Sequence, residues 1–243
     1  AGIGGGYEGG NGTNITIKGG TVTAKGQNMG AGIGGGGSGD GYNITINGGK
    51  VTATGGSGAG IGGGGAGNGE NIRISGGTVN ATSASGAGIG GGQCGDGHDI
   101  SISKGTVAVS GGGGSADIGG GNGWSADYPA GSASNITVKD GTTSKQGEGE
   151  LNIGVANDGG VKFLVIRDEN GTKREITYTS NGDLSEIGND DTVKLLGDVT
   201  LDADKSITVD AGKELTLDLN GFTILQEKNN SNTNHSMLTN NGT

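Results

Sequence analysis

The residues best suited to bind a ligand lie in one short segment near the middle of the chain. Trp124 is the only tryptophan, and Asp127 and Tyr128 follow it within Gly-Trp-Ser-Ala-Asp-Tyr-Pro-Ala-Gly. Aromatic rings pack against the C–H faces of sugar rings, and a carboxylate accepts hydrogen bonds from sugar hydroxyls. These three residues therefore predict a carbohydrate-binding site. The alternative is structural, with Trp124 covering an open end of the fold.

A second group of residues has the chemistry of a calcium site. Glycine flanks both sides of four residues that recur every 28 or 29 positions, namely Asn11, Asp40, Asn68 and Asp96. Carboxylate and carbonyl oxygens are the ligands of Ca²⁺, which makes Asp40 and Asp96 the candidate metal ligands. The alternative is that Gly-[Asn/Asp]-Gly forms a tight turn, since these residue types tolerate a positive φ.

Three residues further along each repeat lies another recurring set: Asn14, Asn43, Asn71, Asp99 and Asn135. Stacked in register, their side-chain amides would hydrogen-bond to one another as a structural ladder. Three of them also begin Asn-Ile-Thr, a sequon for N-glycosylation. The ladder explains the asparagines without glycans and is the interpretation we favour.

All of these residues belong to a repeat of 28 to 30 residues. Its anchor is an isoleucine in a Gly-rich segment, at Ile3, Ile33, Ile61, Ile89 and Ile118. A fixed period in this range is typical of a solenoid, because one such unit cannot bury its own apolar face. Runs such as Asn-Ile-Thr-Ile alternate with a period of two, which places isoleucines inside and polar residues outside. The predicted fold class is all-β, a parallel β-helix of about five coils.

The repeat changes along the chain, which predicts three regions. Residues 1–147 are expected to form the Gly-rich β-helix, with the aromatic segment inserted as a loop and the second strand of the fifth coil lost after Asp140. Residues 148–190 are predicted to be a β-rich insert or cap, with a hairpin turn at Asp168-Glu-Asn-Gly171. Residues 191–243 are predicted to begin a second, truncated β-helix segment.

No catalytic constellation is evident in the sequence. Glycosidases and lyases need paired carboxylates or a carboxylate beside a cation, and no acids are expected to stack on adjacent coils. His98 and Asp99 are sequence neighbours, and neighbouring strand residues are expected to point to opposite sides. Cys94 is the only cysteine and has no partner cluster. We therefore expect a protein that is not an enzyme.

The composition excludes several classes of protein. Glycine makes up 62 of 243 residues, but a Gly-X-Y period is absent, which excludes collagen. The net charge of −10 repels phosphate backbones and argues against nucleic-acid binding. No apolar run approaches membrane-spanning length. A single cysteine cannot form an internal disulfide.

The repeats of Gly-Ala-Gly-Ile-Gly-Gly-Gly followed by Asn-Ile-Thr-Ile-x-Gly-Gly-x-Val-x-Ala resemble those of bacterial cell-surface parallel β-helix proteins. They are similar, more loosely, to clostridial carbohydrate-binding β-helix modules. The resemblance covers residues 1–147 and implies a right-handed helix, an extracellular location at the bacterial surface, and adhesin-like binding of polysaccharide or cell-wall glycan, with or without Ca²⁺. The alternative function is a structural stalk or a filament subunit that associates end to end. A polysaccharide-degrading enzyme is the lesser alternative.

Overall fold

The computed structural model of the protein describes residues 1–139, 142–146, 152–154, 163–168, 172–178, 191–195, 198–201, 206–219, 221–226 and 238–241. Within these ranges the regular structure is entirely β, and no helix that could cross a membrane is found. In chain order the strands are β1 (Ile3–Gly4), β2 (Gly12–Ile17), β3 (Thr21–Lys25), β4 (Ile33–Gly34), β5 (Gly41–Ile46), β6 (Lys50–Gly55), β7 (Ile61–Gly62), β8 (Gly69–Ser83), β9 (Ile89–Gly90), β10 (Gly97–Ser110), β11 (Ile118–Gly119), β12 (Ala133–Lys139), β13 (Thr143–Lys145), β14 (Ile153–Gly154), β15 (Phe163–Asp168), β16 (Thr172–Tyr178), β17 (Asp191–Leu195), β18 (Val199–Leu201), β19 (Ile207–Val209), β20 (Thr216–Asp218), β21 (Ile224–Gln226) and β22 (Leu238–Asn240).

A six-stranded parallel sheet forms one side of the solenoid. Its strands are two residues long and follow the order β1-β4-β7-β9-β11-β14. Each anchor isoleucine pairs with the anchor of the next coil, from Ile3 and Ile33 through to Ile118 and Ile153. Ile153 begins a sixth turn that the sequence did not predict, because its segment lacks the three glycines that follow the other anchors.

The other two sides of the solenoid belong to one larger sheet. The first strands of the coils stack in parallel in the order β2-β5-β8-β10-β12, and β8 and β10 continue into the second strand of their coils. The prediction that the fifth coil loses its second strand was wrong. β13 pairs in parallel with β10, and Thr143 lies opposite Val107. The backbone pairing of the neighbouring coil is sufficient to form this strand without the usual Val and Ala side chains.

The core is a column of small layers, one for each coil. Ile44, Ile46 and Ile72 are fully buried, and so are Val51 and Ala53 on the second strand. Each coil adds only a few such side chains, which stack on equivalent side chains of the neighbouring coils. This explains how a chain with 29% hydrophobic residues fills a continuous core.

One residue in each first strand breaks the alternation of the pleat. Left-handed φ angles between 50° and 56° occur at Asn14, Asn43, Asn71, Asp99 and Asn135. After glycine, Asn and Asp are the residue types that adopt this conformation most readily. Two consecutive side chains therefore lie on the outer face, as Tyr42 and Asn43 do, before Ile44 returns to the core.

Beyond the first solenoid the chain forms an antiparallel element and then parallel pairs again. β15 and β16 form a hairpin, whose predicted turn at residues 169–171 lies outside the described residues. β16 pairs with β12 and β15 pairs with β17, both antiparallel, so the hairpin lies between β12 of the solenoid and β17. Parallel pairing resumes in β17–β20, β18–β21 and β19–β22. The predicted domain boundaries at residues 147 and 190 stay predictions.

Candidate functional site

The aromatic segment forms a compact loop on the fifth coil. The backbone N–H of Trp124 donates to the Tyr128 carbonyl at 3.0 Å, and the backbone N–H of Tyr128 donates to the Ser125 carbonyl at 3.1 Å. The Cys94 thiol on the preceding coil lies 3.6 Å from the Tyr128 carbonyl oxygen. These contacts tie the loop to itself and to the solenoid, so the aromatic side chains are carried on a supported backbone.

The two aromatic side chains of this loop are exposed to solvent. Trp124 is 65% exposed and Tyr128 is 55% exposed. Their ring centroids lie 5.4 Å apart with an angle of 54° between the planes, so the rings offer two inclined faces instead of one flat platform. The solenoid continues past the loop, because β14 pairs with β11. These observations disfavour the interpretation of Trp124 as an end cap.

Both rings border a groove of about 270 Å³ on the outer surface of the solenoid. Its lining residues, all uncharged, come from successive coils: Met29, Ser38, Ser57, Gly65, Ala66, Gln93, Cys94, Trp124 and Tyr128. Ser, Gln and Tyr side chains provide hydrogen-bond donors and acceptors beside small and apolar surfaces. Asp127 is exposed in the same loop but does not line the groove. Its carboxylate is therefore placed to contact only a ligand that extends beyond the groove.

The column of Gly-flanked residues forms hydrogen bonds between successive coils. Asn11 accepts from the Asp40 N–H at 2.9 Å, Asp40 from the Asn68 N–H at 2.8 Å, and Asn68 from the Asp96 N–H at 2.9 Å. Asp96 accepts from the Ser132 N–H at 2.6 Å. None of the four acceptor residues has a positive φ, so the explanation through positive-φ turns was wrong. The geometry uses Oδ1 of Asp40 and Asp96 structurally, and the calcium assignment stays a prediction.

The ladder residues are brought together in two separate runs. In the first, the Asn43 amide donates to Asn14 Oδ1 at 3.2 Å and the Asn71 amide donates to Asn43 Oδ1 at 2.5 Å. In the second, the Asn135 amide donates to Asp99 Oδ1. Each later amide donates to the earlier residue, and a carboxylate has no proton to donate. The break between Asn71 and Asp99 follows from this chemistry.

The structure also forms a cluster that sequence reasoning missed. The expectation that His98 and Asp99 point to opposite sides was wrong, because the φ of 56° at Asp99 places both outside. His98 Nδ1 lies 3.2 Å from Asp99 Oδ2. Glu70 lies opposite His98 on the preceding coil, and one ligand atom from each of the three residues lies within 4.8 Å of the others. Acidic residues therefore do meet on adjacent coils here.

The Asp99 carboxylate is stabilised in its ionised form. The pKa of Asp99 lies below its ordinary value of 3.8. The main cause is the hydrogen bond from the Asn135 amide, and the second is the hydrogen bond with His98. Burial acts in the opposite direction but is outweighed. The side chain is therefore a negatively charged acceptor at neutral pH, and Asn rather than Asp at this position would remove that charge.

A buried carboxylate in the fifth coil has a structural role. Asp117 stands where the preceding coil has Gly88, and it is 1% exposed. Its oxygens accept from Lys145 Nζ at 2.9 and 3.1 Å, and from the N–H groups of Gly111 at 2.9 Å and Asn152 at 2.8 Å. A buried charge with this many partners is satisfied and is poorly placed for reaction with a ligand.

Comparison with known proteins supports the architecture. Residues 15–37, 44–65 and 72–93 match the family model described as a β-helix repeat. The three matched segments lie in the first four coils. Neither the comparison with curated proteins nor that with solved structures gave a match. The fold and the repeat together define a parallel β-helix protein.

Proposed function

We propose that this chain is a non-enzymatic, extracellular protein of the bacterial surface that binds polysaccharide through the groove beside Trp124 and Tyr128. The single observation that carries the proposal is the exposure of these two aromatic side chains on a hydrogen-bonded loop. Burying a large apolar side chain stabilises a protein by roughly 1.5–3 kcal/mol, so two exposed rings beside a groove favour a ligand that covers them.

The groove favours a neutral polysaccharide. None of its lining residues is charged, whereas the chain as a whole carries a net charge of −10. The overall negative field repels acidic chains such as polyuronates, and no groove cation compensates for it. Ser38, Ser57 and Gln93 match the hydroxyls of a neutral sugar, while Gly65 and Ala66 leave room for the ligand to approach the backbone.

The test is affinity electrophoresis of the wild-type protein in gels that contain neutral or acidic polysaccharides. We expect retardation by at least one neutral polysaccharide, with little dependence on salt. The Trp124→Ala/Tyr128→Ala variant should lose affinity at least about tenfold, which corresponds to about 1.4 kcal/mol. Tyr7→Ala is the matched control, because Tyr7 is an 83% exposed aromatic residue that does not line this groove.

A second variant tests the groove without altering the aromatic rings. Ala66 is exposed and lines the groove, so Ala66→Arg should block it and reduce binding as strongly as the double variant. Binding retained by both variants would place the site elsewhere. Absence of binding by folded wild-type protein would favour the structural stalk or filament subunit. Release of new reducing ends from any polysaccharide would contradict the non-enzymatic part of the proposal.

A further inference from the structure

Glu70, His98 and Asp99 form a polar cluster on the outer face of the third and fourth coils. None of them lines the aromatic groove, and the proposed function does not use them. His98 and Glu70 are register partners on β10 and β8, and the ligand atoms of all three residues lie within 4.8 Å of one another. An imidazole and two carboxylates on adjacent coils form a set of potential metal ligands.

We propose that Glu70, His98 and Asp99 bind a divalent first-row transition metal of the Zn²⁺ class. An imidazole nitrogen with carboxylate oxygens is a ligand set that suits these ions, and three protein ligands leave a fourth position for water. Ca²⁺ prefers a shell made entirely of oxygen ligands and should compete weakly. This assignment is distinct from the predicted calcium ligands Asp40 and Asp96.

The spacing of the cluster is close to what a metal ion requires. Ligands at about 2.0–2.2 Å around a tetrahedral ion are separated by roughly 3.3–3.6 Å. The separation of 3.2 Å between His98 Nδ1 and Asp99 Oδ2 already matches one edge of such a tetrahedron. A metal ion would replace the hydrogen bond between these two atoms. The ligand atoms lie within 4.8 Å of one another, so the carboxylate of the exposed Glu70 has to move by at most about 1.2–1.5 Å to complete the site.

The backbone around the cluster supplies the rigidity that a metal site needs. Ile100 and Ile72 follow the ligands on the two strands, are fully buried, and pair with each other in register. The left-handed backbone at Asp99 directs its carboxylate to the outer face. The Asn135 amide donates to Asp99 Oδ1, which orients the carboxylate and leaves Oδ2 directed at His98. Hydrogen bonds of this kind hold metal-binding carboxylates in position.

The experiment is isothermal titration calorimetry of the whole chain with ZnCl₂ at pH 7. Thermal melts with and without the ion provide a second readout. The wild type should bind one Zn²⁺ and melt at a higher temperature in its presence. Loss of a residue that hydrogen-bonds to a metal ligand weakens metal binding about 10–100-fold. Asp99→Asn and Glu70→Gln each remove a ligand itself, so each should weaken Zn²⁺ binding by more than this.

The variants are chosen so that unfolding cannot mimic loss of a ligand. The other coils have Asn at the position equivalent to Asp99, so the fold accepts Asp99→Asn. Glu70→Gln changes an exposed side chain to one of equal size. Cys94→Ser removes the one cysteine of the chain and His235→Gln removes its other histidine, and both variants should bind Zn²⁺ like the wild type. Absence of Zn²⁺ binding by the wild type would overturn the proposal. So would unchanged binding by both ligand variants, or loss of binding in His235→Gln alone.

Discussion

Replacing Asn43 separates two roles that this residue combines. Its φ of 56° is left-handed, its amide donates to Asn14, and its Oδ1 accepts from Asn71. Glycine at position 43 would remove both hydrogen bonds but keep the backbone conformation, which glycine adopts freely. Alanine would remove the hydrogen bonds and also strain the backbone. The difference between the two variants therefore measures the preference of the backbone alone.

The contacts set the expected magnitudes. The two side-chain hydrogen bonds contribute about 0.5–1.5 kcal/mol each, and the greater freedom of glycine in the unfolded chain adds about 0.5–1 kcal/mol, so Asn43→Gly should lower the free energy of unfolding by about 1.5–4 kcal/mol. A left-handed conformation costs a residue with a Cβ roughly 1–2 kcal/mol more. Asn43→Ala should therefore lower the free energy of unfolding by about 2–5 kcal/mol. The variant with glycine is expected to be the more stable of the two.

Urea denaturation, monitored by circular dichroism, measures the free energies of unfolding of the two variants and shows which of them is more stable. Thr45 provides the matched control, because it lies on the same strand, faces outward and has no positive φ. At position 45 the order should be reversed, with glycine less stable than alanine by about 0.5–1 kcal/mol. If Asn43→Gly were no more stable than Asn43→Ala, the argument that backbone conformation selects asparagine in each coil would be refuted.

Three further changes test other parts of the structure. Lys145→Met leaves the buried Asp117 without its cation and should lower the free energy of unfolding, measured in urea, by about 3–5 kcal/mol. The double variant Asp117→Gly/Lys145→Met restores the glycine of the preceding coil and should lower the free energy of unfolding by less. An equal decrease in both variants would contradict this argument. The pKa of Asp99 is lower in the folded protein than its ordinary value of 3.8, so its ionised carboxylate stabilises the fold at pH values above 3.8. This stabilisation is lost as the pH falls through the lower pKa of the folded state. Thermal melts from pH 7 to pH 2 should therefore decline less for Asp99→Asn than for the wild type, and parallel declines would count against the argument. If Asp40 binds calcium, EGTA should lower the Tm of the wild type but not of Asp40→Asn, which keeps the Oδ1 acceptor; an unchanged wild-type Tm would remove the calcium assignment.

The sequence predicted the solenoid well because its signal is repeated in phase. A period-two pattern such as that of Ile44 and Ile46 recurs at the coil spacing, and each recurrence supports the same inside and outside assignment. The sixth turn at Ile153 and the strand β13 were missed because pairing with a neighbouring coil forms them despite weak local patterns. Stacking on an existing template reduces what the local sequence must specify.

The outer surface was predicted less well, and the reason is local backbone geometry. Strict alternation along a strand would separate His98 from Asp99, but one left-handed residue places both outside. The asparagine column carried the signal for this break, since Asn and Asp tolerate a positive φ. We instead predicted a positive φ for the column that contains Asp40. Asp40 has an ordinary φ, and its side chain accepts a hydrogen bond from the next coil. Proximity in sequence identified the loop of Trp124 and Tyr128 but not the groove that five coils build beside it.

The left-handed residues also divide the outer face into constrained and unconstrained positions. In each of the five coils the second residue of the outward pair has a positive φ, and it is Asn or Asp, residue types that tolerate this conformation. The residue before it has no such restriction and makes no contribution to the core. These positions are accordingly diverse in chemistry: Thr13, Tyr42, Glu70, His98 and Ser134. A solenoid built in this way can acquire a ligand-binding side chain in any coil without altering its core, and the amide or carboxylate beside that side chain is already held outward to join it.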